Sequence, residues 1–116
     1  MKITRIYTGK DNESHLEDIE VPMKFHRPGE VRMDTVKPKG MYIREQSGNF
    51  ELDFHPAPRR QYLITLSGKI EITLGDGTKR TFGAGDVLLA EDLTGHGHIS
   101  RIVGNEPRVS VVIEVD

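Results

Sequence analysis

The chain contains no cysteine. Disulfides, thiolate nucleophiles and cysteine-ligated metals are therefore excluded, and the redox compartment is left open. Tryptophan is also absent and aromatics make up only 6% of the residues, too few for a base-stacking platform on nucleic acid. Nor is there an excess of one charge sign. Sixteen basic and 18 acidic residues are mixed along 116 positions, the formal net charge is −2, and no basic stripe or acidic tail points to nucleic acid or a membrane. Met1-Lys2-Ile3-Thr4-Arg5-Ile6 lacks the apolar run of a signal peptide, and no stretch reaches membrane-span length. A soluble cytoplasmic protein is expected. No long window shows apolar residues at helical spacing, and there is no phosphate loop, Gly-x-Ser-x-Gly or zinc-type Cys/His spacing.

What is present is a series of short alternating runs punctuated by 12 glycines and six prolines. Hydrophobic residues, 35% of the chain, suffice for one modest core and a single domain over residues 1–116. Met1 to Tyr7 reads as a first strand, Thr8 to Ser14 as a polar loop, and Leu16 to Met23 as a partly alternating strand. Pro28-Gly29 and Pro38-Lys39-Gly40 bracket a weak strand around Val31 to Val36. From Met41 the pattern sharpens. Strands are predicted at 41–46, at 50–55 with Phe50, Leu52 and Phe54 on one face, at 61–67, and at 70–74 with Ile70, Ile72 and Leu74 on one face. Gly75-Asp76-Gly77 is a hairpin turn of residues that tolerate positive φ. Further strands follow at 79–82, 86–91, 97–103 and 108–115. Closely spaced short strands of this kind predict an all-β sandwich or barrel.

Residues 41–115 resemble the cupin superfamily, and specifically small single-domain RmlC-like cupins of a poorly characterised group. The first cupin motif runs His-x-His, three or four residues, Glu, six residues, Gly. Here His55 stands at the first histidine, and six residues separate Gln61 from Gly68. The second motif runs Gly, five residues, Pro-x-Gly, two residues, His, three residues, Asn. Gly83-Ala84-Gly85-Asp86-Val87-Leu88-Leu89 is similar to its opening, and counting from Gly85 places His96 at the metal-histidine position. The resemblance implies a double-stranded β-helix or jelly-roll barrel with N-terminal strands over residues 1–40, a pocket at the open end, and a homodimer in which an N-terminal strand adds to the partner's sheet. The sequence also departs from the pattern. Ala57 replaces the second histidine and Gln61 the glutamate, Glu91 and Leu93 replace the proline and glycine, and Ser100 stands in the asparagine place.

His96 and His98, spaced by two, face the same way if their segment is a strand, and His55 would complete a three-histidine cluster. Imidazoles suit Zn, Fe, Ni, Cu or Mn, with Gln61 oxygen as a weak fourth ligand, and an open coordination position would polarise a substrate oxygen. The competing reading follows from Gly95 and Gly97: the strand bends, His98 alone faces a metal-free pocket, and His96 lies on a solvated loop. His55 is a ligand, a general base or an orienting group, and His98 a proton carrier. One of Arg59 and Arg60 would reach the mouth and bind a carboxylate, and the residues do not decide which. Glu91 and Asp92 are read as structural. Tyr42 and Arg44 share a strand face and are candidates for lining the pocket. Two functions follow: a metal-dependent enzyme acting on a small carboxylate- or carbonyl-bearing metabolite, or a metal-free module that binds or senses a small ligand without turnover.

Overall fold

The alternation seen in the sequence folds into twelve strands without a helix in the computed structural model, which describes residues 1–116. They are β1 (Lys2–Thr8), β2 (Ser14–Glu20), β3 (Lys24–Arg27), β4 (Glu30–Arg32), β5 (Pro38–Gln46) and β6 (Glu51–His55). The second half adds β7 (Gln61–Ser67), β8 (Ile70–Thr73), β9 (Lys79–Phe82), β10 (Val87–Glu91), β11 (His98–Ile102) and β12 (Arg108–Val115). A six-stranded sheet in the order β2-β1-β10-β7-β12-β5 packs against a four-stranded sheet in the order β6-β11-β8-β9, the jelly-roll arrangement expected from the sequence. No helix is long and apolar enough to cross a membrane.

The core lies between the sheets. Period-two alternation sends Ile70, Ile72 and Leu74 inward from the β8 hairpin, where they meet Leu88 and Ala90 of β10, Ile102 of β11 and Ile6 of β1. Ile6 and Val112 are fully buried. In the Gly75-Asp76-Gly77 turn, Leu74 N–H donates to Thr78 O at 2.8 Å and the Asp76 carboxylate accepts from Thr78 N–H at 2.9 Å. Those bonds hold the hairpin closed.

Two expectations need correction. The weak strand over 31–36 is instead a hairpin of β3 and β4. Pro28 followed by Gly29, at φ 82°, supplies a turn that needs fixed φ and then positive φ, so the reversal falls there. β6 does not bury one clean apolar face, because it is an edge strand whose register slips beside β11; Leu52 and Phe54 are 44% and 36% exposed. The first strand is interior to its sheet, whose edge strands are β2 and β5. β1 runs parallel to β10 on one side and antiparallel to β2 on the other, so both rows of its backbone groups are paired within the chain.

Candidate functional site

Between the sheets a cavity of about 330 Å³ is lined by Tyr42, Arg44 and Gln46 of β5, Leu52 and His55 of β6, Gln61 and Leu63 of β7, His98 and Ser100 of β11, and Arg108 of β12. Strand alternation brings these residues in. Tyr42, Arg44 and Gln46 occupy every second position, and Arg108 and Ser110 do the same on the neighbouring strand, where they pair with Gln46 and Arg44.

At one end stands a buried histidine–carboxylate pair. His98 Nδ1 lies 2.6 Å from Asp92 Oδ2, and Ser14 Oγ donates to the same oxygen at 2.6 Å. Asp92 is fully buried and His98 is 7% exposed. A carboxylate only accepts, so Nδ1 carries a proton, and in the neutral imidazole Nε2 keeps its lone pair. The His55 ring sits 4.6 Å from that of His98, with its Nδ1 2.7 Å from the Asp53 carbonyl, which again leaves Nε2 bare. Burial pushes the His55 pKa down; the Asp53 hydrogen bond opposes this, and the charge of His98 adds to it. Beside them the Gln61 Oε1 is buried without a donor, as is Asp92 Oδ1.

The six-stranded sheet contributes two guanidinium groups to the same cavity. Arg108 is 1% exposed, and its N–H groups donate to Thr65 Oγ1 and Gln46 Oε1 at 2.9 to 3.2 Å. Arg44 is half-buried and donates to Ser110 Oγ at 3.4 Å. Burial lowers the Arg108 pKa to about 10, with Arg44 nearby adding to the effect, and burial likewise lowers that of Arg44. Both remain cations at neutral pH. Their partners are neutral oxygens, and no acidic side chain lines the cavity.

Of the residues singled out in the sequence, His55, His98, Gln61, Tyr42 and Arg44 meet in this cavity, whereas His96, Arg59 and Arg60 do not. His96 and His98 do not share a face, because Gly95 and Gly97 both take φ +80° and break the strand period before β11 begins. His96 turns outward, stacks on Phe54 at 3.9 Å and pairs with Glu13 at 2.8 Å. The motif count is therefore off by one turn of alternation: His98, two residues on, is the inward histidine. Arg59 is exposed and pairs with Glu114 at 3.0 Å. Arg60 shares Glu91 with Arg5 and donates to the Asp116 carbonyl. Burial raises the Glu91 pKa, but the hydrogen bonds from Arg60 and Arg5 outweigh it and hold the carboxyl below its usual value. The structural reading of Glu91 stands. Asp92 is different, since it supports a site histidine. Arg108, Gln46 and Ser14 were missed altogether; the one available signal was that Arg108 shares the parity of the inward Ser110 and Val112 in an otherwise apolar strand.

A divalent metal is what a cupin pocket implies, and the residues present do not fit one. Nowhere do three His, Cys, Asp or Glu side chains converge as a metal-binding group. The cavity offers two imidazoles and one amide oxygen, together with two guanidinium groups that have no acidic partner. A dication would meet repulsion there and no carboxylate to offset it.

Neither a family model nor a curated protein matches the chain. Solved structures do. A Cupin 2 conserved barrel domain protein from Salinispora arenicola is 18% identical over 82% of this chain and 73% of that one, with a TM-score of 0.55. The cupin domain of Cnp3 from Schizosaccharomyces pombe is 16% identical over 100% of this chain and 83% of that one, with a TM-score of 0.51. The chain has the cupin fold. Likeness at this level leaves the function to be argued from the site.

Two outcomes are expected from the site's geometry. A Cβ at Gly97 would collide with the His55 carbonyl, so Gly97→Ala should lose about 3 kcal/mol or more in urea unfolding. Gly77→Ala, at φ +89° with open space around it, should lose only about 1–2 kcal/mol. Equal losses would mean that the contact with His55 imposes no constraint. The second outcome concerns pH. Below the usual His value of 6.5 the unfolded chain takes up a proton that folded His55 resists, so stability falls as pH drops from 6.5 toward the lowered native value. The melting temperature of the parent should therefore fall more between pH 7 and 5 than that of His55→Gln. Parallel curves would mean that burial does not perturb His55.

Proposed function

We propose that the cavity binds a small carboxylate-bearing molecule without a metal, and that His98, backed by Asp92, exchanges a proton with it. The observation that carries this reading is the pair Arg44 and Arg108, two guanidinium groups turned toward one cavity with no carboxylate on its wall. An unpaired buried charge is costly, and an anion entering between the two groups would offset that cost through bidentate, charge-assisted hydrogen bonds. The apolar wall of Leu52, Leu63 and Ile72 would take the ligand's carbon skeleton.

The proton-transfer part rests on the histidine pair. With Nδ1 bonded to Asp92, the His98 Nε2 is an acceptor, and Asp92 would stabilise the imidazolium formed when it takes a proton. His55, kept neutral by burial, would hydrogen-bond the reacting group, and Gln61 Oε1 would accept from a ligand hydroxyl or amine. In this arrangement the arginines hold the ligand while the histidines act on a group further along it. Binding alone, without turnover, requires only the first half.

The test is a thermal-shift and calorimetric screen of small mono- and dicarboxylates on protein purified without a histidine tag. A carboxylate should raise the melting temperature in step with the logarithm of its concentration. Arg108→Met should stay folded, since replacing a buried unpaired charge by an apolar side chain of similar length relieves its desolvation, and should bind about 10- to 100-fold more weakly. His98→Gln should retain binding and lose any turnover. Elemental analysis should find transition metal well below one equivalent. Equal binding by Arg108→Met would sink the anion reading. A stoichiometric metal lost in a His55→Ala/His98→Ala double variant would replace it with metal chemistry.

A further inference from the structure

The hydrogen-bonding groups around the cavity are unevenly matched. Three of its lining residues bring an acceptor that has no donor: Gln61 through Oε1, and His55 and His98 through Nε2. In both rings Nδ1 gives its proton to an oxygen, the Asp53 carbonyl or the Asp92 carboxylate, so in the neutral imidazole Nε2 can only accept. The two histidines are direct cross-strand partners on β6 and β11, with their rings 4.6 Å apart. Gln61 is 5% exposed on β7, beside Ala90 of β10. A buried acceptor without a donor is destabilising, and native proteins leave few of them. Because Gln61 stands where the cupin motif has glutamate, this neutral acceptor belongs to this chain rather than to the fold.

The charges are one-sided as well. Arg44 and Arg108 line the cavity and no carboxylate does. These two imbalances sort the possible ligands. A carboxylate answers the guanidinium groups, but whatever answers Gln61 has to donate, and to do so without a positive charge. The ammonium of an amino acid donates, yet it would be a third cation beside two guanidinium groups. The carbonyl of an oxo acid only accepts, as does a second carboxylate, and either would leave Gln61 Oε1 unpaired. A hydroxyl donates and is neutral. The volume of about 330 Å³ also limits size: at the ~30 Å³ that one water occupies in the liquid, it admits roughly ten non-hydrogen atoms.

We propose that the ligand is a small hydroxycarboxylate, and that Gln61 is the residue that selects it. The inference rests on the carboxylate reading of the same cavity and adds the second functional group. Arg44 and Arg108 take the carboxylate, while hydroxyl groups donate to Gln61 Oε1 and to the histidine Nε2 atoms. A site built to hydrogen-bond a hydroxyl discriminates strongly against the analogue that lacks it, because its own acceptor is then left unpaired.

Calorimetric titration of the full chain with matched four- and six-carbon acids tests this. Each length is offered as the plain alkanoate and as its 2-oxo, 2-amino, 2-hydroxy, 3-hydroxy and fully hydroxylated forms. At least one hydroxy acid should bind about 10-fold or more tightly than the alkanoate, oxo acid and amino acid of the same length. Gln61→Leu replaces an unpaired buried amide by an apolar side chain of similar size, so it should fold, and it should cut that preference to about twofold. Equal binding of alkanoate and hydroxy acid by the parent would overturn the proposal and leave the carboxylate reading standing. Tightest binding of an amino or oxo acid would do the same. A preference that persists undiminished in folded Gln61→Leu would remove Gln61 as the selecting residue. No binding by any acid of either length would overturn the carboxylate reading, and this proposal with it.

Discussion

A fully buried carboxylate holds the candidate site together. Asp92 accepts hydrogen bonds from Ser14 of β2 and His98 of β11, and its backbone carbonyl accepts from Ala57 N–H in the turn after β6. One residue thus ties the N-terminal hairpin, the second sheet and the proline-rich turn at a single point. A charge placed so far from water is tolerable only when it is hydrogen-bonded, and the same bonds fix the His98 ring and its tautomer. The orientation of the histidine and the closure of that end of the barrel are therefore one constraint.

The electrostatics of the cavity are set by what its walls lack. Acidic side chains are plentiful in the chain but are spent elsewhere: Glu91 between Arg5 and Arg60, Glu114 on Arg59, Glu13 on His96 and Asp18 on Arg80. Arg59 and Arg60 were among the candidates for ligand binding, and their acidic partners Glu114 and Glu91 lie outside the cavity. Arg44 and Arg108 are left to the interior, where low polarity strengthens whatever charge interaction they make. A cavity lined by two guanidinium groups, a histidine pair and apolar side chains, without a carboxylate, suits an organic anion better than it suits a metal ion.

Much of the architecture was legible from residue order alone. The apolar, β-branched run at 61–67, the alternation at 70–74 and the glycine-rich turn at 75–77 each dictate local structure with little help from the rest of the chain. The failures fall where a local signal was ambiguous. Pro28-Gly29 marked a reversal that was read as a strand boundary, and the Phe50-Leu52-Phe54 alternation could not reveal that its strand lies at an edge with a slipped register.

The sequence by itself determined the fold class, the positions of most strands and the short set of groups able to do chemistry, because strand period and turn preference are properties of a few consecutive residues. Only the tertiary structure decided which of those groups meet. Whether His96 or His98 points inward depends on two glycines at positive φ, Gly95 against the Asn12 backbone and Gly97 against that of His55. That Arg108 joins Arg44 depends on the pairing of β5 with β12, strands that lie more than sixty residues apart in the chain. Asp92 acquired its role from Ser14, at the other end of the chain. Such contacts arise from sheet pairing over long separations, and a period of two says which side of a strand faces the core but not which strand will be its neighbour.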